Sequence, residues 1–203
     1  MLEKIIAVLA TWIMGVISSM GYGGIVLLMG IESACIPLPS EIIMPFAGFL
    51  VFKGEMTLWG VALAGAVGCV VGSIPAYYLG MYGGRPLVEK YGKWVLISHK
   101  DLNWADQAFE KHGEIIIFIG RLLPAVRTFI AFPAGVARMN MTKFVVYTFV
   151  GSLIWCYLLA LAGFKMGENW ESLKVYFHEF HYVIAAAGVV FVVWYLRRHF
   201  KNN

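Results

Sequence analysis

The sequence predicts an all-α integral membrane protein, an inverted-topology repeat of two re-entrant helical hairpins with about four spanning helices around them. Three observations carry this. The chain is apolar throughout, with 60% hydrophobic and 15% aromatic residues and a mean hydropathy of +0.74. Its uncharged runs, 5–31, 57–81, 144–164 and 182–196, lie near the ~20 residues that cross ~30 Å of hydrocarbon. Two proline- and glycine-rich stretches, each holding charge inside apolar sequence, also repeat one another in order.

The elements follow in turn as one membrane domain spanning 1–203. Residues 1–22 read as a retained first helix. Lys4 is their sole basic residue, the apolar run continues past Gly21, and no small-residue cleavage site follows. Residues 23–81 form a hairpin and a long helix. Residues 82–112 form a cytoplasmic loop with an amphipathic stretch, Trp94 to Phe109, expected to lie on the inner surface as a short helix. Residues 113–166 are a second hairpin and helix, and 167–203 an outer loop, a last helix and a basic tail. That last apolar run is short, but Trp194, Tyr195, Arg197 and Arg198 at its end extend its reach by snorkelling.

Charge sets the orientation. Arg197, Arg198 and Lys201 in the tail, and Arg85, Lys90, Lys93, Lys100 and Lys111 in the loop, belong inside. Residues 167–181 hold Lys174 against Glu168, Glu171 and Glu179, and belong outside. Helix 142–166 then runs outward and the last helix returns, which leaves both termini cytoplasmic, at the cell membrane. Arg138 and Lys143 fall on the same side as Lys111, so the segment 113–137 must enter and leave from one face. Pro124 and Pro133 break helices there, and non-helical backbone at membrane depth survives where protein or a wet cavity satisfies it.

The repeat supports this reading. Gly23 to Gly30 (GGIVLLMG) resembles Gly113 to Gly120 (GEIIIFIG) at an offset of 90. Pro37 pairs with Pro124, and Ala47-Gly48 with Ala134-Gly135, at 87; Met56-Thr57 pairs with Met141-Thr142 at 85. Helix 57–81 must run inward to reach the basic loop, so the first hairpin, about 23–52, opens outward while the second opens inward. Such inverted repeats bring broken helices together at the bilayer midplane. At 1.5 Å per residue, the limb from Gly24 to Ile36 reaches roughly 20 Å and that from Ile115 to Leu123 roughly 13 Å, enough for the tips to meet.

At those tips sit Glu32, Glu41, Arg121 and Arg127. A charge at the centre of a lipid-facing helix costs ~3 kcal/mol even on the mildest scale, so all four are expected to face inward. The bland reading is two Glu–Arg ion pairs pinning the hairpins. The functional reading is that Arg121 and Arg127, on either side of Pro124, converge on one anion. Arginine suits phosphate because its planar fork binds oxygens bidentately and stays charged. A Glu, unlike an Arg, is readily neutralised by a proton. Pro37, Pro39, Pro124, Pro133, Gly120 and Gly135 are the residues expected to shape the hairpins.

Glu32-Ser-Ala-Cys-Ile-Pro37-Leu-Pro39-Ser-Glu41 and Gly120-Arg121-Leu-Leu-Pro124-Ala-Val-Arg127, followed by Ala134-Gly135 and Met139, resemble the paired signatures of the DedA family over about residues 20–165. The resemblance implies a lipid transporter or flippase, with undecaprenyl phosphate the first candidate and a phosphatidylethanolamine-type transporter or scramblase the alternative. It implies that Glu32 and Glu41 are the proton-responsive acids and Arg121 and Arg127 the essential basic pair. Many relatives carry Asp as the second acid, at a different spacing.

Other signals bound the function. Cys35, Cys69 and Cys156 all lie in apolar stretches and read as small buried hydrophobes, neither a disulfide nor a metal set. His178 and His181 around Glu179 do not make HExxH, and GxSxG is absent. All five histidines lie outside the hairpins, where a lipid phosphatase would need one. No catalytic residue, metal or cofactor is therefore expected, and the partners are a lipid phosphate headgroup and protons, with no nucleic acid. A membrane enzyme acting on lipid phosphate and a cation exchanger are the competing classes; the exchanger leaves the arginines unused. Ala64, Gly68 and Gly72 make a small-residue strip suited to close helix packing, while Ser73 and Pro75 mark a possible kink. Asn140-Met-Thr142 fits a glycosylation sequon on the inner side, where it carries no meaning.

Overall fold

The computed structural model describes residues 2–34, 36, 38–83, 115–124 and 126–167. Among them the chain is helical, with no strand. Residues 84–114, which include the helix expected at Trp94 to Phe109, and residues 168–203, where the last helix and basic tail are expected, lie outside the described residues, as do Cys35, Pro37, Ala125 and every histidine.

Helix α1 (Leu2–Met20) ends at Gly21, whose φ of +59° turns the chain directly into α2 (Tyr22–Ser33). The α2 limb is thus shorter at its far end than expected, stopping three residues before Ile36. Pro39 in extended conformation leads into α3 (Ser40–Phe52), and α3 tolerates Pro45 near its middle. Thr57 caps α4 (Leu58–Tyr78), its Oγ1 accepting from the Gly60 amide at 3.2 Å. The Thr57 amide in turn donates to the Tyr22 hydroxyl at 2.8 Å, joining the start of α2 to the start of α4. Past Pro75, α4 runs on as a π-helical segment, Leu79–Gly83.

The second half is built alike but shorter. Helix α5 (Ile115–Arg121) gives way at Leu122 to a series of turns containing Pro124, then to α6 (Ala131–Val136), with Pro133 at its third position. The chain leaves α6 through Arg138, whose φ of +50° is the one positive value at a non-glycine among the described residues. Helix α7 (Met141–Lys165) begins where Asn140 Oδ1 accepts from the Lys143 amide at 3.2 Å. Asn140 is thus a helix cap, a role for part of the sequon that the sequence reading left idle.

Packing crosses between the halves. Each first limb lies on its own long helix, α2 on α4 and α5 on α7, while each second limb crosses to the other half, α3 on α7 and α6 on α4 with its π segment. Glycines permit it. A β-carbon on Gly72 would meet the Gly30 backbone, one on Gly48 that of Ala160, and one on Gly135 that of Tyr77. Of the small-residue strip, Gly68 and Gly72 lie against α2 and Ala64 is buried, the close packing that the spacing suggested. Tyr77 closes the second contact: its hydroxyl donates to the Met139 carbonyl and its ring lies 4.8 Å from that of Phe144.

The long helices are inside-out relative to a soluble core. On α4, Trp59, Leu63, Val67, Val71 and Tyr78 face outward while Gly65, Gly68, Cys69, Gly72 and Ser73 face inward. On α7 the outward stripe is Val146, Val150, Ile154 and Leu158. Large apolar side chains outside and small residues at the contacts are what lipid as solvent selects. The α4–π unit, Leu58–Gly83, and α7, Met141–Lys165, are the described helices long and apolar enough to cross a bilayer.

Candidate functional site

Glu32 is the penultimate residue of α2, Arg121 the last of α5, and Arg127 lies in the turns that follow. Helix ends and turns put these side chains at the tips of their limbs, where crossed packing brings the two halves face to face. All three are buried, at 2–3% exposure, so each charge must find its partners within the protein.

Arg127 Nη2 donates to Glu32 Oε2 at 2.7 Å, an ion pair joining residues 95 apart. The same Nη2 lies 3.9 Å from Cys69 Sγ on α4. Arg127 Nη1, also buried, has no hydrogen-bond partner. The guanidinium stacks over Trp155 of α7, 5.4 Å from the ring centre. Arg121 does a different job. Its Nη1 donates to the Arg127 carbonyl at 2.8 Å and its Nη2 to Ser73 Oγ at 2.6 Å. Ser73 Oγ in turn donates to the Cys69 carbonyl one turn back, so this hydroxyl links α4 to the second hairpin.

Of the four charged residues expected to converge, the structure joins three. Glu41 is in the first turn of α3, half-buried, and its Oε2 accepts from Ser40 Oγ at 3.3 Å. Arg127–Glu32 is one of the Glu–Arg pairs that the bland reading supposed. The shaping residues divide likewise. Pro39 and Pro124 stand at breaks between limbs and Pro133 at the start of α6. Gly120 meets the Ile130 side chain and Gly135 the Tyr77 backbone. Sequence reasoning missed Ser73 as a partner of Arg121, Cys69 as more than filler, and Trp155 altogether. Ser73 and Cys69 had a signal, because they adjoin the Gly68 and Gly72 strip on the inward side of α4. Trp155 had none, because nothing in the sequence sets it apart from the other aromatic residues of α7.

Known proteins match this sequence. The family model described as the VTT domain matches residues 38–165, from the break before α3 to the end of α7. The chain belongs to the VTT-domain (DedA) family. Family members similar to it include "Uncharacterized membrane protein YkoX" of Bacillus subtilis, 40% identical over 88% of this chain and 79% of that protein. "Undecaprenyl phosphate transporter A" of the same organism is 35% identical over 84% of this chain and 82% of its own length. An "Alkaline phosphatase-like protein" of Lactococcus lactis subsp. cremoris is 32% identical over 94% of both. No solved structure matches. With the lipid-facing stripes of α4 and α7, membership in this family makes the chain a membrane-bound, all-α protein.

Proposed function

We propose that this VTT-domain protein carries an anionic lipid across the cell membrane, with undecaprenyl phosphate as the first candidate. The observation that carries the reading is the placement of two buried arginines where the helices of both halves break, one of them with an unspent N–H. Burying two permanent positive charges inside an apolar protein is expensive, and Glu32 offsets that of Arg127. The relative named as an undecaprenyl phosphate transporter supports the choice of lipid.

In this proposal α2–α3 and α5–α6 are re-entrant hairpins opening to opposite faces, and both termini are cytoplasmic. The exchange of second limbs between halves supports an inverted repeat, because a two-fold relation makes such packing reciprocal. The phosphate competes with Glu32 for Arg127, and Glu32 takes up a proton as its counter-charge is withdrawn. Proton movement then couples to headgroup movement, with Glu41 as the second acid, while the lipid tail stays in hydrocarbon.

The Lactococcus relative's name motivates a second reading, hydrolysis of a lipid phosphate. One experiment separates the two. The purified chain is reconstituted in liposomes with undecaprenyl phosphate or phosphatidylethanolamine, and both lipid transfer and phosphate release are followed. Transfer of the polyprenyl lipid without phosphate release supports the proposal. Phosphate release supports the enzyme, and transfer of phosphatidylethanolamine alone changes the substrate.

A further inference from the structure

Trp155 stands in the middle of α7, and its side chain turns in beneath the Arg127 guanidinium. Its indole Nε1 is buried and has no hydrogen-bond partner. A tryptophan buried for packing alone normally finds a partner for its N–H, since a donor left unsatisfied away from water costs most of its solvation. Beside it, Arg127 Nη1 is in the same condition, while Nη2 is spent on Glu32. Two unsatisfied donors from different elements, one cationic and one neutral, therefore lie on either side of a single stacking contact.

Both donors belong to groups in contact: the guanidinium carbon is 5.4 Å from the ring centre, and the indole nitrogen is part of that ring. A tetrahedral oxyanion offers several acceptor oxygens, one for each donor at about 2.8 Å. A cation does not suit this pair, because both groups are donors and one is permanently charged; an anion with several acceptor oxygens suits it best.

We propose that Trp155 is a headgroup-binding residue: its Nε1–H donates to one oxygen of a phosphate held by Arg127 Nη1, while its ring keeps the guanidinium oriented. The assignment rests on the anionic-lipid reading above. It divides the work among the buried donors. Arg121 braces the turn through the Arg127 carbonyl and Ser73, Arg127 supplies charge, and Trp155 supplies a directed hydrogen bond from a helix outside the hairpins. Because α7 also bears α3, a phosphate held from both sides ties ligand position to the packing of the other half.

The test uses the full chain in lipid nanodiscs with a short-chain polyprenyl monophosphate as probe. Trp155→Phe keeps an aromatic platform and removes the N–H. It is expected to weaken probe binding roughly tenfold or more, the usual worth of a hydrogen bond to a charged group, with an unchanged melting temperature. Trp155→Leu, which also removes the platform, is expected to weaken it further. In the wild-type chain labelled with 15N-tryptophan, one of the seven indole N–H signals, that of Trp155, should move on probe addition. This readout does not depend on a variant folding. Wild-type affinity in Trp155→Phe, or an unmoved Trp155 signal while the wild type binds, overturns the assignment and leaves the lipid reading standing. Failure of the wild type to bind the probe at all overturns both.

Discussion

Arg121 donates to the backbone carbonyl of Arg127 at 2.8 Å, so one arginine braces the very turn from which the other reaches Glu32. The two cations are not equivalent. Arg127 is spent on charge, Arg121 on shape, and substitution should tell them apart.

Arg121→Lys keeps the charge but loses the two-pronged grip on the Arg127 carbonyl and Ser73 Oγ, because a single ammonium cannot span both acceptors. Lipid transfer in proteoliposomes is expected to fall at least tenfold while the variant still folds. Ser73→Ala removes one prong and should give a smaller loss in the same assay. A fully active, folded Lys variant refutes this role.

Arg127→Gln leaves Glu32 buried without its counter-charge and should lower stability by about 3–5 kcal/mol. Adding Glu32→Gln removes the orphaned charge and should recover most of that loss. Denaturant unfolding of the purified chain checks this; equal stability of the single and double variants would show that the pair is not coupled.

Glu32→Gln by itself mimics the protonated carboxyl. It is expected to fold and keep some phosphate affinity but to lose any response of transfer to an imposed pH gradient, measured in proteoliposomes with and without the gradient. Transfer that still follows the gradient moves the coupling role to Glu41.

Gly72→Ala drives a methyl into the Gly30 backbone, which cannot retreat as a side chain can, and should cost about 1–3 kcal/mol. Gly15→Ala, where nothing lies within 4 Å, is the control and should be neutral or slightly stabilising. Thermal unfolding of the two variants side by side makes the comparison.

If the second hairpin is re-entrant, single cysteines placed at Lys111 and at Arg138 must react with an impermeant reagent from the same side of the membrane. Labelling from opposite sides would make 113–137 a spanning segment.

The hairpin limbs and their charges were legible because proline, glycine and charge interrupt an otherwise uniform apolar text. Glu32, Arg121 and Arg127 stood out for their cost alone. The partners of those charges were harder to see. Ser73 looked like a kink residue, since a hydroxyl one turn after Cys69 bonds its carbonyl in any helix; that the same oxygen also receives Arg121 depends on a contact 48 residues away. Trp155 was hidden because Phe144, Tyr147, Phe149 and Tyr157 share its helix, and which of these aromatics meets Arg127 depends on how α7 packs. Glu41, in the first turn of α3, accepts from Ser40, a neighbour in sequence that its position alone could suggest.

The crossed limbs also set a timetable for biosynthesis. Glu32 and Arg127 are 95 residues apart, and at ~5–20 residues per second the ribosome takes roughly 5–20 seconds to deliver the second after the first. Throughout that interval α2 is made and its carboxylate has no counter-ion, and α3 waits longer still for α7. A nascent chain stalled before Arg127 therefore holds the Glu32 limb without the partner that ties it to the second half.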